Sequence, residues 1–132
     1  MAVRWSEAEW RLMRAVWRAA AGRGHATARD VLDALGPGKL WAYTTAKTML
    51  DRLVAKGALA RVPRAKPVAY RPRIQPDEAE RREVDQLKSG VFGGEVAPLV
   101  RHLMADERVS RREREWIAEL LGRLEREGGD TR

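Results

Sequence analysis

The sequence predicts a mainly α-helical fold that contains one small β-hairpin. Apolar residues recur at helical spacing in three successive segments of the first half of the chain, and the third segment runs from Trp41 to Gly57. A short apolar strand and a basic hairpin, Leu59 to Tyr70, follow it directly. The order helix, helix, helix, hairpin is typical of a winged helix-turn-helix, and further helical spacing after Pro72 predicts an additional C-terminal helical region.

Capping signals define the first two predicted helices. Ser6 and Glu9 form a Ser-x-x-Glu capping box, and the apolar spacing after them continues until the chain reaches Gly22. Thr27 and Asp30 give a second cap signal, and a short apolar stripe then ends at a Gly-Pro-Gly sequence. The second helix is therefore predicted to be short.

The third predicted helix has an apolar face and, opposite it, a face of hydroxyls and charged groups that includes Asp51. The apolar stripe comprises Ala46, Met49, Leu50, Leu53 and Val54. Gly57 fits the left-handed position that ends a helix. A helix of this composition suits a DNA groove, because hydroxyls and cations bind phosphates and base edges.

The hairpin is predicted to consist of a strand at Ala58–Val62, a tip at residues 63–67 and a strand at Val68–Arg71. Two prolines at the tip prevent further strand pairing there, so Arg64 and Lys66 are expected to project towards a phosphate backbone or a minor groove. An ordinary solvated turn is the alternative interpretation. The side chains expected to bind DNA are Tyr43, Thr44, Thr45, Lys47, Thr48, Arg52, Arg64 and Lys66.

Charge divides the chain of 132 residues, whose net charge is +7, into two parts. Residues 1–74 hold 15 Lys and Arg against 5 Asp and Glu, whereas residues 75–132 hold 11 against 14. An excess of +10 on one module indicates a polyanionic partner for that module. We therefore predict a winged-helix DNA-binding domain at 1–74 and a helical dimerisation region at 75–132.

The C-terminal region is predicted to form thin helices that bury little surface by themselves. A second copy of the same chain is the simplest partner for their apolar stripes, and packing back onto the winged helix is the alternative. The residues expected at the dimer interface are Val84, Leu87, Phe92, Leu99, Leu103, Ile117, Leu120, Leu121 and Leu124.

Enzyme chemistry is not indicated by the sequence. No nucleophile stands beside a base, the two histidines are far apart in sequence, and no cofactor-binding motif, metal-ligand spacing or small-molecule site is evident. The absence of Cys excludes disulfides and thiolate metal sites. No segment has the apolar length of a membrane span or the pattern of a secretory signal, so we expect a soluble cytoplasmic protein.

Five tryptophans invite two interpretations, a stacking platform for unpaired bases or core packing. Packing is favoured, because Trp10 and Trp17 share one helix face, Trp116 adjoins an apolar ridge and Trp5 precedes the Ser6 cap.

The chain resembles the penicillinase-repressor family of bacterial winged-helix repressors, which includes the methicillin-resistance repressor and copper-responsive relatives. The resemblance runs nearly end to end and is most specific in the third helix. It is carried by Glu9-Trp10 with Trp17, by Trp41-Ala42-Tyr43-Thr44-Thr45 leading to Leu50-Asp51-Arg52-Leu53 and Lys56-Gly57, by Tyr70-Arg71-Pro72 and by Phe92-Gly93-Gly94.

This resemblance implies a homodimer whose C-terminal helices intertwine and whose N-terminal domains bind operator dyads until a signal inactivates the repressor. In the family that signal is often cleavage by a membrane metalloprotease sensor, usually between an Asn and a Phe. His102 and Leu103 stand at the corresponding position here. Copper-binding relatives use a C-terminal cysteine cluster, which this chain lacks.

We therefore predict a dimeric, sequence-specific repressor that binds palindromic operator DNA. Two alternatives belong to other classes: a winged helix that docks an acidic protein, and a binder of single-stranded or looped RNA. A steep salt dependence of binding to duplex DNA would favour the repressor over the protein-docking module. Tighter binding to single-stranded or looped RNA than to B-form duplex would favour the RNA binder.

Overall fold

The computed structural model describes residues 4–36 and 41–129, and its residues group into two compact units, divided along the chain between Val84 and Asp85. The first unit contains three helices, a small sheet and the first part of a fourth helix. The elements are α1 (Glu7–Ala20), β1 (Ala26–Thr27), α2 (Ala28–Leu35), α3 (Tyr43–Ala55), β2 (Leu59–Arg61), β3 (Ala69–Pro72), α4 (Pro76–Gly90), α5 (Ala97–Ala105) and α6 (Arg111–Gly129).

The predicted start of α1 is confirmed. The Ser6 hydroxyl accepts a hydrogen bond from the Glu9 amide at 3.1 Å, and the Glu9 carboxylate accepts one from the Ser6 amide at 2.8 Å. Trp5 packs on Trp10 with ring centroids 4.7 Å apart, which is the hydrophobic staple expected at this position. Both contacts fix the direction in which the chain enters α1.

The Thr27–Asp30 capping box at the start of α2 is also confirmed. The two residues before α2 also form a short strand, which the sequence did not predict. Ala26 and Thr27 form β1, which pairs with β3 through Ala26 opposite Tyr70 and Thr27 opposite Ala69. The predicted hairpin is therefore part of a three-stranded antiparallel sheet in the order β1-β3-β2. A strand of two residues is too short to show an alternating pattern.

The core of the first unit lies where α1, α2 and α3 meet the sheet. Burying these apolar side chains is the main stabilising term for so small a domain. The largest fully buried side chains are Leu12, Met13, Val16, Val31, Leu50, Leu53, Leu59 and Tyr70.

The first unit continues ten residues beyond the predicted boundary at residue 74. Ala79 of α4 is 4% exposed and belongs to the winged-helix core, and Glu83 forms an ion pair with Arg4. The indole of Trp17 donates a hydrogen bond to the Ile74 carbonyl at 3.0 Å. These contacts attach the first half of α4 to the first unit, so the division falls within a continuous helix.

The second unit comprises the end of α4 together with α5 and α6. Arg114 donates a hydrogen bond to the Asp106 carbonyl at 2.9 Å, and the Ser110 hydroxyl caps α6 by accepting from the Glu113 amide at 3.1 Å. None of its described residues is fully buried. Trp116 is 62% exposed, so the expectation that it packs in a core is wrong for a single chain. Within the described ranges, one copy leaves most of this ring exposed.

Candidate nucleic-acid interface

The outer face of α3 carries the hydroxyls and the cation that the sequence predicts. Ala46, Leu50 and Leu53 are fully buried, and they fix the rotation of the helix about its axis. The side chains on the other side are exposed: Thr44, Thr45, Thr48 and Arg52. The described residues provide no carboxylate partner for Arg52, so its charge is available to a ligand.

Tyr43 occupies the first position of α3 and is 43% exposed. The guanidinium carbon of Arg29, in the first turn of α2, lies 5.6 Å from the centroid of the Tyr43 ring. A cation over an aromatic face is attracted by the ring quadrupole, so this contact brings the starts of the two helices together. Arg29 therefore adds an exposed cation beside α3. The sequence carries no signal for this position of Arg29, because Tyr43 lies fourteen positions further along the chain and no periodicity connects the two residues.

The tip of the hairpin extends beyond the paired strands. The Val62 amide donates to the Ala69 carbonyl at 2.9 Å, and the chain then turns through Arg64, whose φ is +64°. Arg64 and Lys66 are both exposed, and neither forms an ion pair with the described residues. The hairpin tip thus presents two uncompensated cations to solvent.

A carboxylate joins the hairpin to α3. Oδ1 of Asp51 accepts a hydrogen bond from Nη2 of Arg61 at 2.8 Å and another from the Tyr70 hydroxyl at 2.9 Å. Arg61 of β2 and Tyr70 of β3 are cross-strand partners, so one carboxylate contacts both strands. Burial alone would raise the pKa of Asp51, but the bonds from Arg61 and Tyr70 hold it below its usual range. Burial and the bond to Asp51 raise the pKa of Tyr70 to about 12.

Lys47 lies on the flank of α3 and is not a free cation. Its Nζ is 3.6 Å from Oδ2 of Asp51, one helical turn away. This separation is longer than a hydrogen bond, so the ammonium is attracted to the carboxylate without being fixed to it. An exposed ion pair of this kind is weak, and a phosphate can replace the carboxylate as the partner of Lys47.

The chain matches a known protein family. The sequence profile of the family described as "Penicillinase repressor" matches residues 5–123, which is most of the chain. The chain belongs to the penicillinase repressor family. The description of that family names a repressor, which is a transcriptional regulator rather than an enzyme.

Two further proteins resemble this chain. An uncharacterized 16.5 kDa protein in the ptsI 3′ region of Latilactobacillus sakei is 43% identical over 51 residues, which cover 39% of this chain and 32% of that protein. The match thus spans about a third of its length. A solved structure of Sco5413, a MarR family transcriptional regulator from Streptomyces coelicolor, shares 18% identity and a TM-score of 0.46 over 92% of this chain and 75% of that one.

The chain exposes much of the apolar surface that the sequence assigns to a dimer interface. Val84, Leu103 and Leu121 are 49%, 54% and 46% exposed. The half-buried members of the set are Leu87, Phe92, Leu99, Ile117 and Leu120. The side chain of Leu124 lies outside the described part of the structure.

His102 and Leu103, the residues at the family's cleavage position, both lie exposed within α5. The His102 ring is 6.1 Å from the Phe92 ring, centroid to centroid. The bond between His102 and Leu103 is thus part of a helix rather than of an extended segment. In the described ranges, no helix is long and apolar enough to cross a membrane, and no group of three or more His, Asp or Glu is arranged to hold a metal ion.

Proposed function

We propose that two copies of this repressor bind a palindromic operator, each with α3 in the major groove and the hairpin tip on the adjacent backbone. The observation that carries the proposal is the outer face of α3. Thr44, Thr48 and Arg52 are exposed on the side opposite the buried Leu50, and two free cations follow on the hairpin. A helix fixed by its buried face can present this row to base edges without losing core contacts.

Each side chain of the interface has a distinct role in this proposal. Arg52 reads a guanine edge or binds a phosphate, and the three threonines contribute hydroxyl bonds and methyl contacts. Tyr43 anchors the start of α3 to the DNA backbone, and Lys47 exchanges its carboxylate partner for a phosphate. Arg64 and Lys66 bind the DNA backbone that flanks the site contacted by α3.

Dimerisation is supported by the unburied apolar surface of the second unit. Leu103, Trp116 and Leu121 are each more than 40% exposed, and none of the described residues from 85 to 129 is fully buried. Exposed apolar patches on a soluble domain mark a surface that another chain covers. In a two-fold dimer the same patch on each copy faces the other, so the two α3 helices reach half-sites about ten base pairs apart or a multiple of this distance.

The proposal includes release of the operator by proteolysis at a single position in the chain. A membrane metalloprotease that cut between His102 and Leu103 would divide the second unit and so weaken the dimer. Because the bond lies within α5, the helix must first open locally before a protease can bind an extended segment. A fragment that ends at His102, found in cells given the inducing signal, would support this route.

Selection of duplexes from a random-sequence library tests the operator proposal. The repressor should enrich an inverted repeat, protect it in a footprint, and bind it with an affinity that falls steeply with salt concentration. Enrichment of single, unrepeated half-sites would contradict dimeric recognition. Tighter binding to looped RNA than to any duplex would favour the RNA-binding alternative, and weak, salt-insensitive binding to both would favour a protein partner.

A further inference from the structure

An acidic side chain lies in the middle of the helix that faces DNA. Asp51 is adjacent to Arg52 and one turn from Lys47 and Thr48, and about a third of its side chain is exposed. A carboxylate near phosphates is repelled by them, so its presence on this helix lowers affinity for every duplex.

The contacts of Asp51 indicate what it contributes instead. Its Oδ1 accepts hydrogen bonds from Arg61 at 2.8 Å and from Tyr70 at 2.9 Å, which holds the ends of both hairpin strands nearest the tip against α3. Tyr70 is fully buried, so this attachment is part of the core. Arg64 and Lys66 at the tip are connected to α3 through these strands. The contacts of Asp51 therefore help to set the distance of these two cations from α3.

The same carboxylate also restrains two cations. Arg61 is held by a short hydrogen bond, and Lys47 is attracted over 3.6 Å. Without Asp51, both cations would be free to bind any phosphate within reach. Such contacts carry no sequence information, because the DNA backbone is the same at every site.

We propose that Asp51 is a positioning residue for sequence discrimination, which couples the hairpin to α3 and keeps Arg61 and Lys47 from binding DNA indiscriminately. This inference rests on the proposed function. It makes two predictions of opposite sign: loss of the carboxylate raises affinity for random duplex and lowers the advantage of the operator. A residue with only a structural role would lower both affinities together.

The experiment compares Asp51→Asn, Tyr70→Phe and wild type on two probes. One probe is the duplex that wild type enriches from a random library, and the other is the unselected random pool. Asp51→Asn removes the charge with little change of shape, while Tyr70→Phe removes one bond to Oδ1 and keeps the charge and the buried ring. Asp33→Asn, at an exposed carboxylate of α2, is the matched control for net charge.

The measured quantity is the ratio of dissociation constants for the random pool and the selected duplex. Asp51→Asn should lower this ratio on the order of tenfold and steepen the salt dependence of random binding by about one to two phosphate contacts. Tyr70→Phe should lower the ratio less, without tighter random binding, and Asp33→Asn should retain the wild-type ratio. Circular dichroism and thermal melting check that each variant is folded.

The outcomes are distinguishable. If folded Asp51→Asn kept the ratio within twofold of wild type, or lost affinity for both probes equally, the inference would be overturned while the proposed function stood. If Asp51→Asn did not fold, the ratio of Tyr70→Phe would decide, with an unchanged value overturning the inference. If wild type enriched no sequence, the proposed function would fail and the inference with it.

Discussion

The ammonium of Lys56 donates a hydrogen bond to Oε1 of Glu9 over 2.8 Å and joins the C-terminal end of α3 to the first turn of α1. Glu9 is only 4% exposed, and its Oε2 is buried without a hydrogen-bond partner among the described residues. Burial raises the pKa of Glu9, but the bonds from Lys56 and Ser6 outweigh it and hold the pKa below its usual range. The carboxylate is therefore charged inside the domain and depends on Lys56.

Replacing Lys56 should destabilise the first unit more than replacing Glu9. Lys56→Met leaves a buried, unpaired carboxylate and should cost about 3 kcal/mol of unfolding free energy, whereas Glu9→Gln should cost about 1 kcal/mol. Urea unfolding followed by tryptophan fluorescence measures both. Lys66→Met, at an exposed lysine of the hairpin tip, is the control and should change stability little. Equal costs for Lys56→Met and Lys66→Met would contradict the role given to this pair.

Tyr70 should make the protein sensitive to alkaline pH. Its pKa is raised to about 12, so the folded state favours the neutral hydroxyl more than the unfolded chain does. That stabilisation is complete below the unfolded value of about 10 and is lost as the pH rises towards 12. Unfolding followed by circular dichroism should show a smaller loss of stability between about pH 9.5 and 11.5 for Tyr70→Phe than for wild type. Tyr43→Phe, at an exposed tyrosine, is the comparison, and parallel curves for wild type and Tyr70→Phe would refute this prediction.

Arg52 and the hairpin cations should affect DNA binding in different ways. Arg52→Ala should cost on the order of 1–3 kcal/mol on the selected duplex and much less on random DNA. The double substitution of Arg64 and Lys66 by Ala should weaken binding to the selected duplex and to random DNA alike. It should also reduce the slope of log affinity against log salt concentration by about 2. Titrations at several salt concentrations separate these results. Arg18→Ala, at an exposed arginine of α1, is the control for lost charge. If Arg52→Ala lost equal affinity for both duplexes, Arg52 would contact only a phosphate and would not read a base.

A charge placed in the apolar face of α6 should dissociate the proposed dimer. Leu121 is 46% exposed in one copy, so Leu121→Glu should leave the protomer folded while it opposes burial of that side chain in an interface. Sedimentation velocity should show a shift towards monomer at micromolar concentration, with weaker binding to the inverted repeat. Arg112→Gln makes the same change in charge on the opposite side of α6 and should remain dimeric. A Leu121→Glu variant that sedimented like wild type would exclude this face from the interface.

Sequence patterns were sufficient for the parts of the fold that local chemistry determines. The capping boxes at Ser6 and Thr27 were confirmed, because side chains three positions apart interact in any helix that begins there. The buried face of α3 was also predicted correctly, because the helical spacing of its apolar residues determines which side of the helix packs against the core.

Contacts between distant residues were not predictable in the same way. The pairing of β1 with β3, the position of Arg29 on Tyr43 and the attachment of α4 through Ala79 have no period or motif. Asp51 shows the difference most clearly. The sequence placed it on the polar face of the helix, but only the folded sheet brings Arg61 and Tyr70 to its carboxylate.

The sequence by itself therefore determined the order of the helices and the hairpin and the buried face of α3, because each depends on spacing within one segment. It also determined the family, whose residue pattern runs along most of the chain. The tertiary structure decided which cations are free, which are held by carboxylates, and where the first unit ends. These properties depend on side chains separated by tens of residues, whose distances are set only when the helices and the sheet pack together.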